Sequence, residues 1–389
     1  MKVLISAIGV RGGGVEAYLL GLLPELAKIS PEINYTLVIP EKRAYLYNIL
    51  PENVSILKVS DVVLNSSIRR FIYEHITFNK FQINKKYNLH FRTDEMLSPF
   101  SFFIGIPTMI VCHTTADLFL EEMKRERKFR VFYYTTIRKI ALKISDIAVT
   151  VSYHAKAELS GRYPFVYKKI KVIYHGIDQK LFRPLIDNDL KNSRLFQRIL
   201  ETNIYLLSIS DRHYHKNFTR LLKAYGILVN RYHINEHLVI IGRIKSLNEE
   251  NRLKKIISEI ELENRVHLLD YIDQSELPNI YRKASVYVFP SKFETFGFTP
   301  LEAMSCGVPV ACAQCSAMPE VCGSNVLYFN PDDEEDIALK VYQILNNKSL
   351  KEKLITKGIE YTKSFSWKNA AEKYLKIIRS FEKDKVNQG

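Results

Sequence analysis

Short runs of β-branched and aromatic residues alternate with helical stretches along this chain, and the alternation starts twice. In the first half, strand-like runs fall at residues 3–7, 35–39, 108–112, 146–151 and 171–174. The rhythm restarts at 204–209, 238–241, 266–269, 285–289 and 308–311. Strands separated by helix-length segments build parallel sheets covered on both faces. Two such series within 389 residues fit two domains, at roughly 150 residues each. The break falls at Tyr174-His175-Gly176-Ile177-Asp178, ahead of Phe182-Arg183-Pro184 and a polar stretch at 187–198. We therefore expect α/β domains over 1–175 and 176–365. Residues 366–389 then form a closing helix that begins at Trp367, the only tryptophan, with Ala371, Tyr374, Leu375 and Ile378 on one stripe. Two α/β domains imply a cleft, and ligands in such folds bind beyond the carboxyl ends of the strands. The informative residues should lie just after strands.

Composition narrows the class. Hydrophobic residues make up 47% and charged residues 25%, a globular balance rather than a disordered one. The apolar runs are too short for the ~20 residues of a membrane-spanning helix. The opening Met1-Lys2-Val3-Leu4-Ile5-Ser6 reaches a glycine cluster at once, so it reads as a buried strand and not as a secretory signal. A cytoplasmic location is expected, at the inner face of a membrane if the basic surface touches lipid. The net charge is +14, and residues 1–178 hold 25 Lys and Arg against 16 Asp and Glu. That excess favours an anionic partner. Residues 124–143 concentrate it, with eight cations and four aromatics, and are expected to touch anionic lipid. The alternative is a packing helix with Phe129, Phe132, Ile140 and Ile144 as its core stripe. Four of the five cysteines lie between 306 and 322, including Cys312-x-x-Cys315. A structural zinc site wants two close ligand pairs, and only one is present, so no metal site is expected.

The strongest motif is residues 291–309, SKFETFGFTPLEAMSCGVP, between the strand-like runs 285–289 and 308–311. Thr299-Pro300-Leu301-Glu302 reads as a helix start: Thr299 as N-cap, Pro300 at the first helical position, and Glu302 closing a capping box. Gly307 and Pro309 end that helix. The amides of the Phe296-Gly297-Phe298 turn and of the helix start suit phosphate or sugar oxygens. Glu294, unlike Glu302, has no evident local partner, so its carboxylate reads as functional.

Three further motifs follow strands. Gly12-Gly13-Gly14-Val15-Glu16 opens a helix over 15–29 and allows close backbone approach to a ligand. It is not G-x-G-x-x-G, which disfavours a nicotinamide cofactor. Asp211-Arg212-His213-Tyr214-His215-Lys216-Asn217 precedes a helix over 218–229 and places cations where a diphosphate could be neutralised. His113-Thr114-Thr115 puts an imidazole at the end of the run 108–112.

At these residues the chain resembles glycosyltransferase family 4, retaining enzymes of the GT-B fold, in which two Rossmann-like α/β domains face each other across a cleft. The pattern E-x-F-G-x-x-x-L-E-A-M-x-x-G-x-P-V runs from Glu294 to Val310. The likeness continues through Pro319-Glu320-Val321, Tyr328-Phe329-Asn330-Pro331, Phe365-Ser366-Trp367, the linker His175-Gly176-Ile177-Asp178 and Val151-Ser152. It covers nearly the whole chain.

The resemblance implies a hexosyltransferase that uses a nucleotide-diphosphate sugar, mannose-type slightly favoured, with a glycan or lipid-linked acceptor. It implies no cofactor and no divalent cation. By position, Gly13 and Gly14 would lie near the donor phosphates, and Lys216 would hold the diphosphate with Arg212 as a weaker candidate. Glu294 would face the sugar hydroxyls and Glu302 the ribose. The amides around Phe296, Gly297 and Phe298 would meet sugar and phosphate, and His113 would stand near the anomeric carbon. Two departures matter. Ser210-Asp211 stands where the family commonly has Gly-Arg, and His113-Thr114 where it often has His-Asp. The readings weighed against this one are a nucleotide-sugar epimerase of the same fold, a non-catalytic sugar-nucleotide binder, and a nucleic-acid binder using 124–143. The last leaves Glu294 and Glu302 without a purpose, so no nucleic acid is expected.

Overall fold

The computed structural model describes residues 1–9, 13–47, 50–61, 69, 72–73, 87–95, 97–99, 101, 105–113, 128–184 and 204–386. Gly12, Thr114, Thr115, residues 124–127 and the polar stretch at 187–198 lie outside them. The chain divides into two compact units, Met1–Gly176 with Ser366–Gly389, and Ile177–Phe365.

Among the described residues the first unit holds seven strands: β1 (Lys2–Ser6), β2 (Asn34–Pro40), β3 (Val54–Val59), β4 (Leu89–Arg92), β5 (Thr108–Cys112), β6 (Ile147–Thr150) and β7 (Ile170–Val172). Their order is β3-β2-β1-β4-β5-β6-β7, and every pairing is parallel. The helices of this unit include α1 (Gly14–Lys28), α2 (Lys128–Ile144) and α3 (Tyr153–Arg162). All residues of β4 and β5 are buried, as expected of parallel strands covered on both faces.

The second unit holds β8 (Tyr205–Ile209), β9 (His237–Ile241), β10 (Val266–Leu269), β11 (Ala284–Phe289), β12 (Val310–Ala313) and β13 (Leu327–Phe329). The order is β10-β9-β8-β11-β12-β13, again parallel throughout. Its helices are α4 (Phe218–Asn230), α5 (Leu247–Glu259), α6 (Leu277–Lys283), α7 (Phe298–Ser305), α8 (Met318–Cys322), α9 (Glu334–Asn346) and α10 (Lys348–Thr362). In each sheet the strand order reverses once, between β1 and β4 and between β8 and β11. Such a reversal opens a crevice at the carboxyl ends of the two central strands.

The last helix, α11 (Trp367–Val386), belongs to the first unit and packs on α1. Ala371, Tyr374, Leu375 and Ile378 are buried, the stripe read from the sequence. Trp367 is seated against two glycines. A Cβ on Gly21 would lie 2.1 Å from the indole, and one on Gly176 would lie 2.2 Å from the Trp367 backbone nitrogen. Helix α2 differs from the stripe considered above. Phe132 is 67% exposed, while Ile137, Ala141 and Leu142 are buried and Ile144 packs against the same cluster, so the face that meets the sheet keeps Ile144 of that stripe and leaves Phe132 outside. One of its cations, Arg138, turns inward to Glu95 at 2.5 Å.

Gly176→Ala should destabilise the protein by roughly 1–3 kcal/mol, since backbone atoms must shift to admit the methyl group. Gly161→Ala, at a helical position with nothing within 4 Å of the added carbon, should be neutral or stabilise by up to about 1 kcal/mol. Urea unfolding of the two variants checks the contrast, and equal stabilities would refute the seating of Trp367.

Candidate active site

In the second unit, the loops after β8 and β11 carry the residues of interest, and hydrogen bonds join them. After β8 the chain makes a short turn at Tyr214–Lys216 and enters α4 through Asn217, held in the left-handed region at φ 60°. The Asn217 amide donates to the Pro290 carbonyl at 3.1 Å and to the Pro331 carbonyl at 2.7 Å. The Lys292 amide donates to the His215 carbonyl at 2.9 Å. Fastened this way, Lys216 Nζ lies 2.5 Å from Glu294 Oε1, with both side chains mostly covered. Glu294 therefore has a partner, where the sequence suggested none. Its backbone N–H is also anchored, donating to Ser316 Oγ at 2.9 Å.

Gly297 closes this loop and acts as the N-cap of α7, with φ 82° and no side chain to offer. A Cβ there would meet the Met318 methyl carbon at 2.5 Å, so both backbone and space require glycine. Phe296 is buried, and its ring lies edge-on to Phe298 at 5.4 Å. The expected capping box is not formed. The helix starts two residues earlier than Thr299 as N-cap requires, which carries Glu302 past the reach of the leading amides. Glu302 points inward instead, 6% exposed, and accepts a hydrogen bond from the Tyr281 hydroxyl of α6 at 2.9 Å. Burial pushes its carboxyl up to about 7, against the lowering effect of that bond.

Arg212 is also a fold residue in its immediate contacts. Its side chain is 2% exposed, with Nε 2.7 Å from Glu250 of α5, and Nη1 donates to the Leu269 carbonyl at 2.7 Å. Asp211 accepts from Arg243 Nε at 3.0 Å and Nη2 at 3.1 Å, with Lys245 at 3.5 Å. Burial opposes ionisation of Asp211, but the Arg243 bonds and the two cations hold its carboxyl below the ordinary value. Arg243 and Lys245 escaped the sequence reading, because nothing in the motif around residue 211 points to a loop after β9. Only the adjacency of β8 and β9 brings them in. His213 and His215 stack at 5.4 Å. Burial, and then Lys216, lowers both, His215 to about 3, so neither adds charge near neutral pH.

In the first unit, Gly13 is the N-cap of α1 at φ 75°, and its carbonyl accepts from the Glu16 and Ala17 amides. Gly14 is the first residue of that helix. His113 follows β5. Its ring lies 4.7 Å from Tyr18, edge-on, and stacks on His175 at 5.3 Å. Burial lowers its pKa to about 4, although Asp94 pulls the other way, so the imidazole is neutral at physiological pH. His175, read as part of a linker, thus belongs to the surroundings of His113.

Among the described residues no group of three or more His, Cys, Asp and Glu side chains could hold a metal ion. The Cys315 thiol instead donates to the Ser291 carbonyl at 3.2 Å. No helix among them is long and apolar enough to cross a membrane.

The loops that bring Lys216 and Glu294 together stand at a strand-order reversal, and comparison with known proteins adds the family. Residues 12–181 match Glycosyltransferase Family 4 and residues 191–361 match glycosyl transferases group 1. The chain belongs to glycosyltransferase family 4. O-antigen chain mannosyltransferase B of Escherichia coli is 34% identical over 175 residues, 45% of each chain. O-antigen chain mannosyltransferase RfbU of Salmonella typhimurium is 28% identical over 238 residues, 58% of this chain and 62% of that one. The matched part thus spans about half the length of these relatives. Among solved structures, HepE of Anabaena in complex with UDP and glucose has a TM-score of 0.75 at 16% identity, covering 98% of this chain and 100% of that one. Sucrose-phosphate synthase of Thermosynechococcus elongatus also scores 0.75, at 17% identity, with 98% and 99% covered. The fold is GT-B, with two Rossmann-like domains.

The buried Glu302 carboxyl makes stability depend on pH. Its folded pKa of about 7 lies above the ~4.3 of an unfolded glutamate. Its contribution is therefore full below the unfolded value and is lost as pH rises through about 7. Glu302→Gln, which keeps an acceptor for Tyr281, should gain on the parent between pH 5 and pH 8 by on the order of 3 kcal/mol. Urea unfolding at the two pH values measures this, and a constant difference would contradict it.

Proposed function

We propose that this family member is a retaining hexosyltransferase, moving a hexose from a nucleotide-diphosphate sugar to a glycan or lipid-linked acceptor. The observation that carries the reading is the Lys216–Glu294 contact of 2.5 Å at the carboxyl ends of the two central strands. Without donor, the two charges satisfy each other. A diphosphate entering the crevice competes for the ammonium, and Glu294 is released to accept hydrogen bonds from the sugar hydroxyls. Lys216 then stabilises the leaving diphosphate, the task metals perform elsewhere, so the reaction is metal-independent. Glu302 is assigned to the ribose, the backbone around Phe296, Gly297 and Phe298 to sugar and phosphate oxygens, and Gly13 and Gly14 to the phosphates. His113, neutral, is assigned to the reacting carbon, where it can donate or accept a hydrogen bond. Transfer on one face of the sugar lets the departing phosphate oxygen take the acceptor's proton, and the configuration is retained.

Mannose is favoured as the sugar because the relatives cited above are named mannosyltransferases. Those names mention O-antigen chains, which supports a glycan acceptor. Residues 124–143 are assigned to contact with anionic lipid at the inner face of the membrane. Arg138 is excluded from that contact by its pairing with Glu95.

Thermal shift with GDP, UDP and ADP should single out one nucleotide, since a ligand of the native state alone raises stability. With GDP-mannose as donor, NMR of the product should show the α configuration, and EDTA should leave the rate unchanged. Lys216→Ala should lower turnover by about 100-fold or more, a loss of roughly 3–4 kcal/mol. Glu294→Gln should lower it by orders of magnitude with little change in melting temperature. Normal turnover in Glu294→Gln would end the proposal, and loss of activity in EDTA restored by added metal would end its metal-free form.

A further inference from the structure

The loop that carries Lys216 brings a diphosphate only one cation, although its sequence suggests several. Arg212 is turned inward to Glu250 and the Leu269 carbonyl. His213 and His215 stack on one another, and burial and then Lys216 hold both imidazoles neutral. A nucleoside diphosphate carries negative charge on each of its phosphates, and a leaving group of that kind is stabilised by fixed cations around it. With Arg212 withdrawn, the rest of that charge needs a partner from another loop.

The loop after β9 lies against the loop after β8, and the two are fastened together. The Arg212 N–H donates to the Arg243 carbonyl at 2.9 Å, and the Arg243 N–H donates to Asp211 Oδ1 at 3.3 Å. Beside them the backbones are so close that a Cβ on Gly242 would lie 1.9 Å from the Ser210 carbonyl oxygen. Arg243 and Lys245 then converge on Asp211. Arg243 gives Nε to Oδ1 at 3.0 Å and Nη2 to Oδ2 at 3.1 Å, and Lys245 Nζ stands 3.5 Å from Oδ2. The Tyr271 ring, after β10, lies 5.4 Å from the guanidinium.

A guanidinium fork, an ammonium and a backbone N–H around two oxygens form a donor set that suits a phosphate group, and here the chain's own carboxylate occupies it. The seat is reachable, since the side chains of Asp211 and Arg243 are each 28% exposed and that of Lys245 is 36% exposed. It also lies close to Lys216, because Lys216 and Lys245 both act on the His213 ring and lower its pKa. Lys216 is capped in the same manner by Glu294. We propose that Arg243 and Lys245 form the second half of a diphosphate clamp with Lys216, and that Asp211 holds their place as a tethered anion until a phosphate of the donor displaces it. The clamp rests on the nucleotide-diphosphate reading given above and extends its donor site to a loop that the sequence motif does not contain.

Calorimetric titration of the full chain with GDP, UDP, ADP and inorganic pyrophosphate tests this. Pyrophosphate has neither base nor sugar, so its binding reports the cations alone. Arg243→Gln and Lys245→Gln should each weaken pyrophosphate and the preferred nucleotide by about ten-fold. Lys245→Gln should do so with an unchanged melting temperature, because its side chain is the more exposed of the two. Asp211→Asn should tighten both ligands by about three-fold, since a neutral amide competes less for the cations. An ion pair that merely braces the two loops would give the opposite: a lower melting temperature in Asp211→Asn and no gain in affinity. That result, unchanged binding in both the Arg243 and Lys245 variants, or a parent that binds none of the four ligands would overturn the clamp. Lys216→Ala separates it from the donor reading. If only Lys216→Ala loses binding, the clamp falls and the donor reading stands. If the Arg243 and Lys245 variants lose pyrophosphate but the parent transfers hexose from no nucleotide-diphosphate sugar, the clamp stands and the hexosyltransferase reading falls.

Discussion

Lys216 and Glu294 stand 78 positions apart in the chain, and they meet because β8 and β11 are hydrogen-bonded neighbours. Everything described for the second unit depends on that pairing. It sets the two loops side by side, lets Asn217 reach the Pro290 and Pro331 carbonyls, and puts an ammonium against a carboxylate where neither is well hydrated. The ion pair in turn fixes the electrostatic character of the site. Each charge is compensated by the other in a covered position. Under the proposed function, a ligand bearing phosphate would replace one half of an existing pair.

The first unit solves a different problem with similar means. Its central strand β4 carries His90 and Arg92, both buried. Arg92 is held by Asp94 at 2.8 Å, and burial keeps His90 well below the ordinary histidine pKa. Polar residues inside a parallel sheet are costly unless matched. They stand at the strand-order reversal between β1 and β4. Tyr18, His113 and His175 form an aromatic group in the same unit, and burial leaves both imidazoles neutral.

How far this was legible in the sequence follows from the same physics. β5 and β10 were read with the bounds they have, since apolar runs bounded by polar residues give clear edges. β4 was missed because Leu-His-Phe-Arg alternates apolar with polar residues in a strand that is buried on both faces. The capping box over Thr299 and Glu302 was a sound local pattern that tertiary packing overrode, as Tyr281 offered the carboxylate a buried partner. Lys216 and Glu294 could each be read from their places after strands, yet their contact could not, because spacing along the chain says nothing of strand order. Arg243 and Lys245 were hidden for the same reason. The stripe on the final helix was legible because its period is that of a helix lying on a core.

That final helix has a consequence for how the molecule is made. Trp367 fits between Gly21 and Gly176, so the surface of α1 is completed by residues that leave the ribosome after the whole second unit. During synthesis the second unit has all its strands available while the first still lacks a wall, and domains tend to fold as units when their residues have emerged. The half that begins the chain is the half that is finished last, and until then the apolar seat around Gly21 stands open to whatever else the nascent chain meets.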